Sequence, residues 1–463
     1  MTSYDLCVVG AGPGGFSAAI RAAQRGLKVG LVDASLLGGT CLNRGCIPAR
    51  TFGTTARLAA QLRRSKNFGI ELEGSFRIDV AVVLARKERI LRRLRTGMQG
   101  LLQQNGVILL QGEAVLQGVG EIEVRQQGAP AQGLKSKAII LATGSRPSSL
   151  PGCPVDGKMV VTSDELLDLP FVPESLTVIG AGVIGCEFAS YYADLGSSVT
   201  LIEAAAQVLP AEDPKISEVF AQSLKRRGVS IFTGTKMSGI TRPADGTASI
   251  ALSGGTTIGA QVVLMATGRL PQIPTGAAEL GLKLEKGGLA VDAMLRTSVP
   301  GIFAVGDLLK GHQLAATASY EGMIAAENAA GDSRQVDYSV VPDAIYTEPE
   351  IASVGLTEAE AKAEGKTVKV SRLNLIGLGR AQSLEEPEGF VQVVAGAADG
   401  KILGAQIIGA RATDLIGEAA LAIKNGLTLT DLAETIHAHP TMSESLWEAA
   451  SMALGQSIYY ASR

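Results

Sequence analysis

The chain has 463 residues, a formal net charge of −3, 46% hydrophobic residues and 56 glycines. This composition supplies apolar side chains for about three folded domains, and it excludes a disordered, collagen-like or strongly basic chain. Five cysteines in this length cannot form a disulfide scaffold. Because neither a signal peptide nor a membrane-length apolar run is present, we expect a cytoplasmic protein without nucleic-acid or membrane partners.

The first predicted element is a strand that leads into a glycine-rich turn and an alanine-rich helix. Residues 6–33 read LCVVGAGPGGFSAAIRAAQRGLKVGLVD and end on Asp33. Glycines in a Gly-x-Gly-x-x-Gly pattern permit a tight turn and a close approach of the backbone to a pyrophosphate at the helix N-terminus. The acid at the end of the next strand would accept hydrogen bonds from ribose hydroxyls. The three glycines of this first fingerprint are Gly10, Gly12 and Gly15, and Gly14 beside them is a further expected cofactor contact.

Two cysteines five residues apart follow in the segment GGTCLNRGCIP, residues 38–48. Cys41 and Cys46 could be buried small hydrophobes, half of a metal site or a redox disulfide. Zinc needs four ligands and no further cysteine or histidine lies nearby, so no metal is expected. A bridge across so short a loop would contribute only about 2 kcal/mol, which suits an exchangeable bond better than a structural one. Pro48 fits the first turn of a helix, where the positive end would favour the thiolate of Cys46.

A basic amphipathic stretch at residues 86–95, RKERILRRLR, predicts a helix with Ile90, Leu91 and Leu94 on one face. Without interleaved aromatic residues in an acidic chain, a solvated helix face is favoured over a nucleic-acid patch. A docking surface for an acidic carrier domain is the next interpretation.

The glycine fingerprint then occurs a second time. Residues 176–203 read LTVIGAGVIGCEFASYYADLGSSVTLIE, and the spacing from first glycine to final acid is again 23 residues. Two copies in complete strand–turn–helix context predict two dinucleotide sites. Glu203 is followed by three alanines and no arginine, so a 2′-phosphate would meet like charge there and NAD is favoured over NADP. The glycines of this second fingerprint are Gly180, Gly182 and Gly185.

The remaining sequence motifs are three strand ends and one segment that contains two histidines. The strand ends are Ala142-Thr143-Gly144, Ala266-Thr267-Gly268 and residues 297–307, which finish on Gly306-Asp307. Each alone is an ordinary turn. Near the C-terminus, His437 and His439 stand in IHAHPTMSE, and a histidine without context is more often structural than catalytic.

Taken in order along the whole chain, these motifs resemble those of the pyridine nucleotide–disulfide oxidoreductases, and HxHPTxSE resembles the dihydrolipoamide dehydrogenases of that family. The resemblance implies an α/β fold of two Rossmann-like dinucleotide-binding domains plus a C-terminal α+β dimerisation domain. The expected divisions are an FAD-binding domain at 1–150, an NAD-binding domain at 151–272, a segment completing the FAD domain at 273–340, and the interface domain at 341–463.

The resemblance also implies a reaction, in which protein-bound dihydrolipoamide is oxidised to lipoamide and hydride passes to NAD⁺ through FAD. Cys41 would be the interchange thiol, Cys46 the thiol beside the flavin, His439 the acid–base and Glu444 its orienting carboxylate. The C-terminal segment would reach the partner's site in a homodimer, and the substrate carrier would be a lipoylated protein or domain. Further cofactor contacts are implied at Thr40, Thr143, Gly144, Gly306, Asp307, Leu314 and Ala315 for FAD, and at Val183, Ile184 and Gly268 for NAD.

The sequence departs from the family pattern at one charged position. Ala49-Arg50 stands where the family usually has Ser-Lys, while the glutamate that pairs with the lysine is present as Glu187. Arginine keeps the charge, so we expect a bidentate pair with Glu187 and an altered flavin potential or nicotinamide docking.

Pro440 is expected in the first turn of a helix, with Glu444 one turn later.

Two alternatives to this function remain open from the sequence. Another NAD(P)H-dependent disulfide reductase of the family is one, although glutathione-type enzymes would need arginines near Glu203, and mercuric reductases a C-terminal cysteine pair. A flavin-bearing structural subunit whose chemistry has lapsed is the other. Retention of Cys41, Cys46, His439 and Glu444 together argues against it.

Overall fold

The computed structural model describes residues 2–242 and 246–460. Its helices, labelled in chain order, are α1 Pro13–Gln24, α2 Gly39–Asn43, α3 Cys46–Arg63, α4 Val80–Gln104, α5 Ser163–Leu166, α6 Val183–Leu195, α7 Pro214–Arg226, α8 Ala315–Ala329, α9 Glu358–Ala363, α10 Gly379–Ser383, α11 Ala412–Lys424, α12 Leu429–Glu434 and α13 Glu444–Ala453. Short 3₁₀ turns lie at Ser65–Phe68, Gly306–Leu308 and Leu375–Gly377.

Within the described residues, the strands form three main sheets, one three-stranded ribbon and two two-stranded ribbons. The strands are β1 Thr2–Val9, β2 Val29–Asp33, β3 Ile108–Gln111, β4 Glu113–Gly118, β5 Glu121–Arg125, β6 Gln132–Leu141, β7 Ser145–Pro147, β8 Val160–Val161, β9 Ser175–Ile179, β10 Ser198–Ile202, β11 Ser230–Phe232, β12 Met237–Thr241, β13 Ala248–Leu252, β14 Thr257–Ala260, β15 Val262–Met265, β16 Arg269–Pro271, β17 Leu284–Glu285, β18 Gly288–Leu289, β19 Ile302–Ala304, β20 Asp343–Ile345, β21 Ile351–Gly355, β22 Val368–Asn374, β23 Phe390–Gly396 and β24 Ile402–Ile408.

The first sheet has the order β3-β2-β1-β6-β5-β4, and β19 pairs in parallel with β6. Its centre is parallel, with Leu6 of β1 opposite both Val29 of β2 and Ala138 of β6. Leu6 is fully buried, as is typical of parallel strands that helices cover on both faces. The late strand β19 thus returns the chain to the sheet that carries the first fingerprint.

Helices α1 and α8 cross this sheet in close contact. A side chain on Gly322 of α8 would lie 2.1 Å from the carbonyl oxygen of Gly14 on α1, so glycine is required at the crossing. Ala18, Ala19 and Ala22 of α1 are buried, and their small side chains let the helix lie close to the strands. This packing places the N-termini of both helices at the same edge of the sheet.

The second sheet is parallel, with the order β11-β10-β9-β15-β8, and it carries the second fingerprint on β9 and α6. An antiparallel ribbon, β12-β13-β14, packs beside it. The third sheet is antiparallel, β20-β21-β24-β23-β22, and is covered by α11 and α13. The predicted fold class is therefore confirmed, while the boundaries at 150, 272 and 340 remain predictions.

Among the residues that the structure describes, none of the helices is long and apolar enough to cross a membrane.

Candidate active site

The two glycine fingerprints have nearly identical backbones. Gly10 and Gly180, each the first glycine, both have φ of +101°, a conformation that side-chain-bearing residues rarely adopt. At the third glycine, a Cβ on Gly15 would lie 1.8 Å from the oxygen of Gly10, and one on Gly185 would lie 1.9 Å from that of Gly180. The first and third glycines are therefore fixed by the turn and by helix–strand packing.

The middle glycines have a different explanation. A Cβ on Gly182 would meet no atom within 4 Å, and one on Gly12 would meet only Gly39, 3.9 Å away. Protein packing therefore does not require glycine at either place. Both lie at helix N-termini and line a large cavity, so a missing side chain leaves room for a phosphate group to approach the backbone. This arrangement fits a dinucleotide at each fingerprint.

The two strand-end acids hold their glycine loops in the same way. Asp33 accepts a hydrogen bond from the N–H of Ala11, and Glu203 accepts one of 2.7 Å from the N–H of Ala181. The second oxygen of Asp33 accepts from Ser35, and that of Glu203 accepts from the N–H of Ala205 at 2.8 Å. Both carboxylates line the cavity and keep free lone pairs for a ribose hydroxyl.

Sequence reasoning missed a cation near Glu203. Lys236 lines the same cavity, in the loop before β12. The preceding residue, Thr235, donates its N–H to the carbonyl oxygen of Glu203 at 2.9 Å. Lys236 comes 33 positions after Glu203 in the chain, so local sequence patterns do not show that the two segments are neighbours.

One continuous cavity of about 1370 Å³ joins both fingerprints to the cysteine loop. Gly15, Gly185, His439 and Glu444 are absent from its lining. The other predicted site residues line it, namely Gly10, Gly12, Gly14, Asp33, Thr40, Cys41, Cys46, Arg50, Thr143, Gly144, Gly180, Gly182, Val183, Ile184, Glu187, Glu203, Gly268, Gly306, Asp307, Leu314 and Ala315.

Asp307 is held at the cavity by residues that the sequence motifs did not single out. Its Oδ2 accepts a 2.6 Å hydrogen bond from Ser145 Oγ, which in turn accepts one of 2.8 Å from Arg269 Nε. The neighbouring Gly306 donates its N–H to buried Glu321 at 2.6 Å. Burial raises the pKa of Glu321. These contacts fix the turn after β19 and leave the other oxygen of Asp307 for a ligand.

The cysteine loop ends at the start of α3. Cys46 is the first residue of that helix, so its sulfur lies at the positive end of the helix dipole, near which the sequence placed it. Both thiols are free, and the hydrogen bond between them raises the pKa of Cys41. That hydrogen bond lowers the pKa of Cys46, burial opposes the effect, and the charge of Arg50 adds to it. Cys46 is therefore the thiol that ionises first.

Arg50 and Glu187 form an ion pair, but the predicted bidentate geometry is wrong. Only Nη2 of Arg50 contacts the carboxylate, at Oε2. The other oxygen, Oε1, accepts a 2.9 Å hydrogen bond from the backbone N–H of Tyr346. That oxygen therefore has another partner, and Cζ of Arg50 lies over the Tyr346 ring, 4.0 Å from its centroid.

The basic stretch at residues 86–95 is helical, within α4, but only part of it is a solvated face. Leu91 is buried, whereas Leu94 of the predicted apolar face is 41% exposed. Arg95 donates to Asn43 Oδ1 at 2.7 Å, and Lys87 is buried against Asp168. Helix α4 therefore contacts the cysteine loop through the Arg95–Asn43 hydrogen bond, which helical periodicity did not predict.

The histidine and glutamate of the C-terminal motif are in contact. Nδ1 of His439 and Oε1 of Glu444 are 2.8 Å apart, and the N–H of Thr441 donates to Oε2 at 2.8 Å. The expectation for Pro440 is wrong, because α13 begins only at Glu444 and Pro440 lies in the preceding turn after a cis peptide bond. The turn before α13, rather than a spacing of one helical turn, therefore places the Glu444 carboxylate beside the His439 imidazole.

The remaining histidine and cysteine candidates lie apart from the cavity. His437 is paired with Glu418 at 2.8 Å. The cysteines Cys7, Cys153 and Cys186 are buried in apolar clusters. Within the described ranges, no group of three or more His, Cys, Asp and Glu side chains is placed to hold a metal ion.

Comparison with known proteins identifies the family. Residues 4–322 match the Pyridine nucleotide-disulphide oxidoreductase family, and residues 341–450 match the dimerisation domain of the same family. The chain belongs to this family. It is therefore an oxidoreductase that uses FAD and NAD, which confirms the predicted cofactors, and it carries a dimerisation domain.

Relatives within the family are similar over their full length. A protein of Geobacillus stearothermophilus named dihydrolipoyl dehydrogenase is 42% identical over 459 residues, covering 98% of this chain and 97% of the relative. Another of that name from Chlamydia muridarum is 39% identical over 455 residues, with the same coverage. The crystal structure of LpdA from Mycobacterium tuberculosis superposes with a TM-score of 0.90 at 29% identity, covering 97% of this chain and 99% of that one.

Proposed function

We propose that this oxidoreductase oxidises the dihydrolipoyl group of a carrier protein and transfers the electrons to NAD⁺. The observation that carries the proposal is the single cavity that joins Cys41 and Cys46 to both dinucleotide fingerprints. FAD held at the first fingerprint would supply a two-electron acceptor for the dithiol and a hydride donor for NAD⁺. The similar proteins named dihydrolipoyl dehydrogenase support the choice of substrate.

The first half of the reaction is a thiol–disulfide exchange at the cysteine pair, which starts as a disulfide. His439 removes a proton from one substrate thiol, and Glu444 stabilises the resulting imidazolium through Nδ1. The substrate thiolate attacks Sγ of Cys41, a mixed disulfide forms, and Sγ of Cys46 leaves as a thiolate. Arg50 and the N-terminus of α3 stabilise that anion.

The second substrate thiol releases its proton to solvent, and the resulting thiolate attacks the substrate sulfur of the mixed disulfide. The Cys41–substrate bond breaks, the lipoyl disulfide forms, and Cys41 takes a proton from the imidazolium of His439. The enzyme is left with a thiol at Cys41 and a thiolate at Cys46, which matches the order in which the two thiols ionise. The substrate has lost two electrons and the enzyme disulfide has gained them.

We also propose that the active unit is a homodimer in which His439 serves the cysteines of the partner subunit. Its imidazole is 69% exposed, and neither it nor Glu444 lines the cavity of its own chain. A solvent-facing acid–base supported by a buried carboxylate is suited to complete a site across an interface. The cytoplasmic location expected from the sequence also stays part of this proposal.

The proposal is tested by steady-state kinetics with purified, flavin-loaded protein. Dihydrolipoamide should reduce NAD⁺, while reduced glutathione with NADP⁺ should give little turnover. Cys41→Ser and Cys46→Ser should each lower kcat by roughly 10³-fold or more, because each variant removes one of the two sulfurs needed for thiol–disulfide exchange. Cys153→Ser is the matched control, since Cys153 is buried outside the cavity. Equal loss in all three variants, or no turnover of dihydrolipoamide by the native enzyme, would overturn the proposal.

A further inference from the structure

Tyr346 comes from the C-terminal sheet, directly after β20, yet it lies against the ion pair beside the cysteines. Its backbone N–H binds Glu187, and its ring faces Arg50. Its carbonyl oxygen accepts a 2.8 Å hydrogen bond from the hydroxyl of Tyr191, which is four residues after Glu187 on α6. One residue of the third sheet thus contacts both charges and the helix of the second fingerprint.

The stacking accounts for two nitrogen atoms of Arg50 that have no hydrogen-bond partner. Nε and Nη1 are both buried without an acceptor, whereas Nη2 is bound to Glu187. A guanidinium that lies flat on an aromatic ring is stabilised by the negative face of that ring, which offsets missing hydrogen bonds. The Tyr191 ring, 5.8 Å from Cζ, adds a second aromatic contact.

We propose that Tyr346 is a positioning residue, whose ring and backbone N–H together hold the Arg50 charge beside Cys46. This inference rests on the proposed function in one respect, namely that Cys46 works as a thiolate. A guanidinium can face the ring and donate to Glu187 from one planar group, whereas a lysine ammonium could face the ring only as a point charge. Through this contact the C-terminal sheet fixes the electrostatics of the thiol pair.

Removal of the ring would change the charges that Cys46 experiences. The ionisable groups that act on Cys46 are Cys41, Arg50, Glu187 and the hydroxyl of Tyr346. Among them Arg50 is the cation that favours the thiolate, and Glu187 opposes it. Without the stack, Arg50 can swing into the cavity while Glu187 stays in place. The Cys46 thiolate then loses stabilisation by the Arg50 cation but keeps the repulsion from the Glu187 carboxylate. The pKa of Cys46 therefore rises.

The test is the pH dependence of Cys46 alkylation in the flavin-loaded dimer, reduced and kept without oxygen. Only the thiolate reacts with iodoacetamide at an appreciable rate, so the rate profile gives the ionisation midpoint. Trypsin cleaves after Arg44, which lies between the two cysteines, so peptides 29–44 and 45–50 report Cys41 and Cys46 separately. The variants are Tyr346→Leu and Tyr346→Phe, with Tyr459→Leu, outside the cavity lining, as control.

The Cys46 midpoint should rise by about one pH unit in Tyr346→Leu, because a nearby cation typically shifts a thiol by that order. Tyr346→Phe keeps the ring face and should retain the native midpoint, as should Tyr459→Leu. Flavin content and dimer mass verify folding, and Tyr346→Met replaces Tyr346→Leu if that variant is unstable. In an Arg50→Gln background the cation is already absent, so Tyr346→Leu should add no further shift. Cys46 is then carried on tryptic peptide 45–57.

Two results would overturn the inference. An unchanged midpoint in both Tyr346→Leu and Tyr346→Met would show that the ring does not position the charge. An equal additional shift in the Arg50→Gln background would show that Tyr346 acts on Cys46 independently of Arg50. Since alkylation needs no lipoyl substrate, this experiment can fail or succeed whether or not dihydrolipoamide is turned over.

Discussion

His439 lies on the surface directly above the buried carboxylate of Glu444, with Nδ1 and Oε1 2.8 Å apart. The side chain of the histidine is 69% exposed and that of the glutamate 9%. The contact leaves Nε2 facing outward, and it fixes the orientation of the ring. An exposed histidine that is oriented by a buried carboxylate suits a substrate that approaches from outside its own chain.

Glu444→Gln should lower kcat for dihydrolipoamide oxidation by about 10- to 100-fold, because an amide cannot stabilise the imidazolium. The measurement is steady-state kinetics across pH, with flavin content as a folding check. Glu418→Gln is the matched control, since Glu418 makes a contact of the same 2.8 Å length with His437. An equal loss in both variants would show that the Glu444 effect is structural.

Subunit mixing tests whether His439 acts across the dimer. Cys41→Ser and His439→Gln homodimers should each be nearly inactive. In a mixed dimer, one site combines the native cysteines of one subunit with the native histidine of the other. Random reassortment should therefore restore about a quarter of native turnover, because half of the dimers carry one complete site. Failure of mixed dimers, verified by mass, to regain activity would place His439 outside the partner's site.

The two glycine roles of the second fingerprint predict different phenotypes. A methyl group on Gly182 would meet no protein atom within 4 Å, so Gly182→Ala should fold normally and raise the KM for NAD⁺ about tenfold or more. Gly185→Ala would place a methyl group 1.9 Å from the Gly180 oxygen and should lower Tm by several degrees. Calorimetry and NAD⁺ titration separate the two. Similar destabilisation by both would contradict the assignment of Gly182 to the ligand.

Removal of the Glu203 carboxylate should relax the preference for NAD⁺ over NADP⁺. Glu203→Ala takes away the charge that repels a 2′-phosphate, and Lys236 in the same cavity is then available to pair with it. We expect kcat/KM for NADP⁺ relative to NAD⁺ to rise about tenfold or more. Glu203→Ala/Lys236→Ala should lose part of that gain. The idea fails if the double variant uses NADP⁺ as well as the single variant.

Local sequence was a good guide where the backbone itself restricts the residue type. The first and third glycines are required by φ values and by contacts within the same turn, so Gly10, Gly15, Gly180 and Gly185 leave a pattern that can be recognised. Pro48 likewise indicated the first turn of a helix and hence a positive helix end near Cys46, where α3 begins. The family resemblance supplied the order of the motifs and hence the fold.

Contacts between distant segments were not predictable in this way. Tyr346 reaches Glu187 across 159 residues, and by taking Oε1 it prevents the bidentate pair that the Arg50 side chain alone would favour. Lys236 and the Asn43–Arg95 contact were missed for the same reason. The one available signal was Tyr191, which shares a helix face with Glu187 at a spacing of four residues and so indicates an aromatic neighbour for the ion pair.

The most direct test is to count the thiols of Cys41 and Cys46 before and after stoichiometric dihydrolipoamide, without oxygen or NAD⁺. Isotope-coded alkylation and tryptic peptides 29–44 and 45–50 give each sulfur separately. If the sulfurs alternate between bridged and open forms, both should be protected in the oxidised protein and labelled after the substrate is added. Cysteines that react equally before and after substrate, or that stay unreactive in both, would contradict the account.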